Sequence, residues 1–286
     1  MARFFRLLLT IFLLLSVSRS VLAMGVNDFV AVADSSAAAV YNPAGLIGLD
    51  GKQLLLEHRV THRDVAVGWD DLAVYSAADE RGTGALFYAY SQDWVGLSQY
   101  NRIKSLGYAY GWQPTDNLAI GLSAKYNRRG IYNNSSGVMV KQTTLSNEFL
   151  MDCGLLYAPM ENWTIGFTYY NLGHDNSDQL NKSLAVLGVA YETNKITAAL
   201  EVYDLLNEGG AIFEGSLIRT GLKYNITSNV AFHGVLENST SDWDYTGKML
   251  VVELKRNSLN FDISWYRAEG KYVYDDTVQA GLGFTF

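Results

Sequence analysis

The chain of 286 residues has one cysteine, three prolines and four histidines. With Cys153 alone, no intramolecular disulfide and no cysteine–zinc cluster can form, and the residue reads as a small apolar side chain on a strand. His58, His62, His174 and His233 share no metal-ligand spacing on one strand face. His58 and His62 flank the first loop and read as exposed rather than as a site, and His233 reads as a lumen-side histidine opposite Phe232. No glycine-rich phosphate loop occurs, and nothing points to a Ser–His–Asp arrangement. The expectation is therefore no metal, no cofactor and no enzyme. Charge is scarce as well: 18% of residues, with a net charge of −7, which argues against a nucleic-acid partner. Beyond the first 23 residues there is no long unbroken apolar run, which excludes a bundle of membrane helices.

The one apolar run lies at the start. Arg3 and Arg6 precede Leu7 to Val17, and Val21-Leu22-Ala23 is a cleavage tripeptide. The run is too short to span a bilayer as a helix, which takes about 20 residues. Residues 1–23 read as a secretory signal peptide, with the mature chain beginning near Met24.

What the chain has in plenty is tyrosine (19), glycine (26) and alternation. Tyr and Trp suit a membrane–water boundary, where one end of the ring is apolar and the other wet. Alternating segments fall at 51–60, 64–77, 82–92, 100–112, 116–128, 145–158, 162–173, 182–192, 194–205, 216–226, 228–238, 246–256, 257–268 and 276–286. Each suffices for a tilted membrane strand, which takes about 9–11 residues. Fourteen is an even number, as single-chain bacterial barrels have. In one segment Leu118, Ile120, Leu122 and Ala124 oppose Ala119, Gly121, Ser123 and Lys125; in another Leu259, Phe261, Ile263 and Trp265 oppose Asn260, Asp262, Ser264 and Tyr266. The last segment carries Val278, Ala280, Leu282, Phe284 and Phe286 on one face, and its aromatic end, Phe284 and Phe286, resembles the signal read by the outer-membrane assembly machinery.

Linker lengths alternate too. Short connections at 113–116, 159–161, 193–194, 227–228 and 256–257 alternate with long ones near 93–99, 129–144, 174–181, 206–215, 239–245 and 269–275. Short periplasmic turns and longer outer loops are the habit of transmembrane barrels. A soluble β-sandwich would bury its apolar faces, show a Lys-rich outside and need no such alternation. The fold expected is all-β: an antiparallel transmembrane β-barrel of about 14 strands over 51–286, with a small N-terminal plug over 24–50.

The plug segment does not alternate. It reads MGVNDFVAVADSSAAAVYNPAGL over 24–46. Asp34 is expected to cap a short Ala-rich helix, Asn42-Pro43 to force a turn, and Gly45 to tolerate a positive φ as the chain reverses into the first strand. The stretch VADSSAAAVYNPAGL, between a signal peptide and a barrel, resembles the FadL-type family of outer-membrane barrels, including its shorter PorV-like branch. That resemblance implies fourteen strands, an N-terminal hatch inside the lumen that carries the Asn-Pro-Ala motif, and uptake of long-chain fatty acids or other hydrophobic compounds. It carries over to Asn42, Pro43, Ala44, Gly45 and Leu46 as the plug or ligand motif, with a structural turn favoured over ligand contact. The chain departs from the family's transporters in being shorter, with short outer loops.

Parity along the strands points Lys125, Asp152, Glu201, Arg219, Lys223, Glu253, Lys255 and Asp262 inward. Both signs occur, so pairing across the lumen is expected. The long loops are acidic, with Asp175, Asp178, Glu208, Glu214, Asp242, Asp244, Glu269, Asp275 and Asp276, and read as a solvated rim. The partners expected are outer-membrane lipids, the assembly machinery and a hydrophobic small-molecule ligand. The function expected is passive transport of hydrophobic or long-chain compounds across the bacterial outer membrane. The alternative is a non-transport accessory barrel in secretion or envelope assembly.

Overall fold

The computed structural model describes residues 26–63, 66–96, 99–135, 138–172, 183–205, 216–240, 246–270 and 273–286. The signal segment 1–23, His174 and most of the acidic rim (Asp175, Asp178, Glu208, Glu214, Asp242 and Asp244) lie outside the described residues. The strands are β1 (Lys52–Arg63), β2 (Ala66–Ala78), β3 (Thr83–Gly96), β4 (Gln99–Thr115), β5 (Leu118–Ser135), β6 (Val138–Met160) and β7 (Trp163–Tyr170). They continue as β8 (Leu184–Glu192), β9 (Ile196–Tyr203), β10 (Leu217–Thr227), β11 (Val230–Ser239), β12 (Thr246–Arg256), β13 (Leu259–Gly270) and β14 (Val273–Thr285).

Each strand pairs antiparallel with its neighbours in sequence, and β14 returns to β1 from Gln53↔Thr285 to Arg63↔Asp275, closing a fourteen-strand barrel. Closure follows from the physics of the wall. A sheet edge in hydrocarbon would leave a row of backbone donors and acceptors without partners, at several kcal/mol each. The faces are sorted in the sense a bilayer needs. Leu86, Leu106, Leu222 and Leu250 project outward and are more than half exposed, while Phe87, Arg219, Lys223 and Met249 on the other face are buried. Trp163 and Tyr191 pack outside beside short turns, their rings 5.1 Å apart, in the boundary position that suits amphipathic aromatics. A closed sheet that is apolar outside and polar inside sits in a membrane.

At one end the connections are tight turns at 116–117, 161–162, 228–229 and 257–258. Asn162 (φ 67°) and Asn257 (φ 54°) take the left-handed conformation there, which Asn tolerates better than most residues.

Three stretches expected as long outer loops are strand instead. Residues 129–135 belong to β5 and 138–144 to β6, which stay paired up to Ser135↔Val138 with register shifts near Arg129 and Tyr132. β3 and β4 likewise pair to Gly96↔Gln99, and β13 and β14 to Gly270↔Val273. Continuing the ladder satisfies backbone donors and acceptors that a loop would leave to water, and Val138, Val140, Thr143 and Thr144 are β-branched residues that favour it. His58 and His62, expected to flank the first loop, both lie within β1, which runs on to Arg63.

The closing seam yields a test. Phe286 contributes one backbone hydrogen bond, to the Lys52 carbonyl at 2.9 Å, and its side chain is 75% exposed. Deleting it should lower the stability of the folded barrel by only about 0.5–1.5 kcal/mol. A sharp fall in the amount inserted in the membrane is the outcome expected if the terminal aromatic is an assembly signal; unchanged insertion overturns that role.

Candidate functional site

Residues 26–50 lie inside the barrel, against the ends of the strands that carry the short turns. They form a 3₁₀ turn (Val26–Asp28), a one-turn helix α1 (Ala38–Tyr41) and a 3₁₀ helix (Pro43–Gly48). Small residues let this segment fold tightly: Ala33, Ala37, Ala38, Ala39 and Ala44 are buried. Asp34 does not cap α1. The cap residue is Ala37, whose N–H donates to the Ser35 hydroxyl at 3.2 Å, and the Asp34 carboxylate turns to Lys223 of β10, 4.0 Å away. The lysine offers a full opposite charge, which outcompetes the weak field of a one-turn helix.

Asn42 is the fastening. Its side chain accepts from the Ala44 N–H (3.2 Å) within its own turn. It donates to the Val30 carbonyl (2.6 Å) earlier in the segment and to the Leu155 carbonyl (3.3 Å) of β6. One fully buried amide thus ties the turn, the preceding loop and the wall together. Pro43 opens the 3₁₀ helix, where its missing N–H is no loss. Gly45 departs from expectation. Its φ is not in the left-handed region; a side chain there would instead run into the Ala33 carbonyl oxygen and Cβ, so close approach is what requires glycine. The reversal into β1 falls to Gly51, at φ 67°.

The wall is shaped to receive this backbone. Gly111, Gly121 and Gly154 stand side by side on β4, β5 and β6. A Cβ on Gly111 would lie 2.6 Å from the Pro43 oxygen, one on Gly121 would strike the Pro43–Ala44 peptide, and one on Gly154 would strike the Asn42 side chain. On β7 and β8 the paired Gly166 and Gly188 admit Val30 in the same way. Five inward glycines therefore form a track for the Asn42–Ala44 and Val30 backbone. Inspection of the sequence misses the track, because each glycine looks like one of many; the signal was their shared parity at matching depth on successive strands.

Opposite the track the plug meets charge. Arg219 of β10 lies 2.5 Å from Glu201 of β9 and 3.2 Å from Glu237 of β11, beneath the Phe29 ring at 4.9 Å. Glu201 also accepts the Val30 N–H at 3.0 Å. Lys223 reaches Glu253 (3.1 Å) and the Asn27 side chain (2.8 Å), and Glu253 is further held by Lys255 (2.9 Å) and His233 (3.1 Å). Lys125 and Asp152 form a separate pair at 2.9 Å across β5 and β6, away from the first two groups. Asp262 lies over Gly281, in a row Glu253–Asp262–Gly281–Glu57 that crosses four strands. Asp28 of the plug faces that row across a cavity of about 50 Å³. Its carboxyl sits well above the ordinary range, through burial first and then the carboxylates of Glu57, Asp262 and Asp34, with Arg59 pulling the other way. Glu57 and Arg59 were not among the residues read as inward, because the run Leu54-Leu55-Leu56 hides the alternation of β1. At the terminus, Phe284 and Phe286 lie on the outer face at the short-turn end, away from these groups.

One seam of the wall is different. Among the described residues β1 and β2 share a single register pair, Lys52↔Ala77. Above it, side chains bridge the strands: His58 to Asp71 at 2.6 Å on the outer face and Arg59 to Asp70 at 3.5 Å on the inner. The plug side of this seam is apolar, with Leu46, Leu49 and Tyr41 packed with Leu55, Val74, Ala85 and Phe87.

No family model matches the chain, and no curated protein does. Solved structures do. The CymD monoaromatic hydrocarbon channel superposes with a TM-score of 0.67 at 11% identity, over 88% of this chain and 93% of that one. A FadL homologue of Pseudomonas aeruginosa gives 0.66 at 10% identity, over 88% and 94%. The toluene transporter TodX of Pseudomonas putida gives 0.63 at 12% identity, over 88% and 94%. The fold is that of FadL-type barrels. An even-numbered single-chain barrel with an apolar outer belt is a protein of the bacterial outer membrane.

Two outcomes are expected of the plug. Asn42→Ala removes the side-chain hydrogen bonds to the Val30 and Leu155 carbonyls and from the Ala44 N–H, at about 1–3 kcal/mol, and Gly121→Ala drives a methyl into the Pro43–Ala44 peptide. Both should leave the heat-resistant barrel intact and speed proteolysis of residues 26–50; unchanged cleavage would remove the fastening role. The second concerns pH. Because the seated Asp28 carboxyl is raised above its unfolded value of 3.8, seating is strongest in acid and weakens as pH rises through and above that value. Cleavage of the plug should accelerate from about pH 4 to about pH 8, and Asp28→Asn should flatten the profile by slowing the alkaline limb.

Proposed function

We propose that this barrel passes small hydrophobic molecules across the outer membrane, by displacement of the plug along its apolar side. The observation that carries the reading is the β1–β2 seam. Among the described residues β1 and β2 show one register pair there, and the seam adjoins the apolar contact between plug and wall. A polar solute moving there would lose its water without gaining partners, whereas an apolar one replaces contacts of its own kind. Phe87 stands in the way, its ring lying over Gly107. On this side the Ser36 hydroxyl ties the plug to Gln53 and Ser76, and most of its other polar contacts lie opposite, so movement near α1 need not break the Asn42 fastening. Two similar structures, a monoaromatic hydrocarbon channel and a toluene transporter, serve molecules of this chemistry. Nothing in the geometry favours the alternative of an accessory barrel in secretion or assembly.

A disulfide lock tests the path. The hydroxyls of Ser36 on the plug and Ser76 on β2 are 3.1 Å apart. The double variant Ser36→Cys/Ser76→Cys, made with Cys153→Ala, should take up toluene when reduced and lose uptake when oxidised, with arabinose entry unchanged. Phe87→Ala should raise toluene uptake. Equal uptake in the oxidised and reduced forms would sink the proposed path.

A further inference from the structure

Gly234 is a glycine that the fold does not require. It lies on the outward face of β11, between Phe232 and Leu236, and its φ is not in the left-handed region. A Cβ placed there would meet nothing within 4 Å, in contrast to the lumen glycines. Glycine inside a strand weakens it, and where packing does not explain it, it marks close approach of another group.

The register shows what surrounds it. Leu222 of β10 and Leu250 of β12 stand directly beside Gly234, and Trp265 of β13 stands beside Leu250. The missing side chain opens a groove of about 480 Å³ in the lipid-facing wall, lined by Leu222, Leu236, Leu250 and Trp265. At its outer end stands Lys248, two residues into β12 on the side away from the short turn at 257–258. The side chain of Lys248 is exposed and has no ion pair among the described residues. The next cation in that row, Arg267, is balanced by Glu269 at 2.6 Å and faces Asp276 in register. An unpaired lysine on a lipid-facing wall calls for an anion, and near the outer boundary the anion at hand is a lipid phosphate.

We propose that this groove is a lipid site of the outer leaflet: an acyl chain of lipid A lies over Gly234 between the leucines and Trp265, and a lipid A phosphate pairs with Lys248. The site requires only that the barrel sit in the outer membrane, and is independent of any transport path.

The test is native mass spectrometry of the full barrel in detergent, delipidated and titrated with purified lipid A, with dephosphorylated lipid A and with phosphatidylglycerol. The wild type should retain lipid A. Lys248→Gln should lose about tenfold in affinity, the factor set by 1.4 kcal/mol, and should bind intact and dephosphorylated lipid A alike. Gly234→Leu, whose Cβ meets nothing within 4 Å and whose side chain occupies the groove, should lose binding of both. Leu106→Ala, on the outward face of β4, should bind as the wild type does, which separates a site from the general lipid annulus. Equal retention by wild type, Lys248→Gln and Gly234→Leu overturns the proposal, and preference for phosphatidylglycerol over lipid A overturns the occupant. Lys248→Gln leaves the backbone untouched, so the test stands even if Gly234→Leu inserts poorly.

Discussion

The rest of the structure depends on one requirement: every backbone donor and acceptor in the wall must find a partner without water. The pairing of β14 with β1 meets it by removing the sheet's edges. Once the sheet is closed, alternate side chains have only two places to go. Outward positions meet hydrocarbon and are rich in Leu, Ile, Phe, Tyr and Trp; inward positions meet one another and the plug.

The lumen of such a barrel is too wide for its own side chains to fill, and here it is filled by chain. That filling is asymmetric. On β4 to β8 the wall gives up side chains, so the plug backbone rests on glycines at close range. On β9 to β12 the wall offers ions, with Glu201 and Lys223 both reaching plug atoms. Buried ions of this kind contribute little net stability, because desolvation offsets their attraction, but they hold a position well, since each one displaced is left unpaired. On β1 to β4 the contact is mainly apolar, and its directional hold is confined to the Ser36 hydroxyl, which meets Gln53 and Ser76. A plug gripped by glycine track and ions on two sides and held mainly by apolar packing on the third has a preferred direction in which to yield.

Asp28 adds a condition. It is a plug carboxyl set against Glu57 and Asp262 of the wall, so the seat includes a repulsion that a proton relieves. Arg59, hydrogen-bonded to Gln279 at 3.2 Å and near Asp70 at 3.5 Å, is shared among several acceptors and does not cancel it. The two ends of the segment are thus held differently: Asn42 by neutral hydrogen bonds that ignore pH, residues 27–34 by charges that respond to it.

The sequence by itself determined the strands and their faces, because hydrocarbon on one side and water or protein on the other impose a period of two that each strand must obey locally. Leu118 against Ala119, and Trp265 against Tyr266, report their sides without knowledge of any other strand. It also marked Asn42-Pro43 as a turn, since the restriction of φ by proline acts on adjacent residues alone. Only the tertiary structure decided what Gly45, Gly121 and Gly154 are for, because a close approach has two parties and the second lies elsewhere in the chain: Ala33 for Gly45, the Pro43–Ala44 peptide for Gly121, Asn42 for Gly154. It decided Asp34 in the same way, turning a local helix cap into a partner of Lys223, since a full charge nearly two hundred residues away in sequence is nearer in space, and stronger, than the end of a one-turn helix. It decided the ends of β5 and β6 as well, where residues 129–135 and 138–144, which read as loop, stay paired because the neighbouring strand supplies the hydrogen bonds.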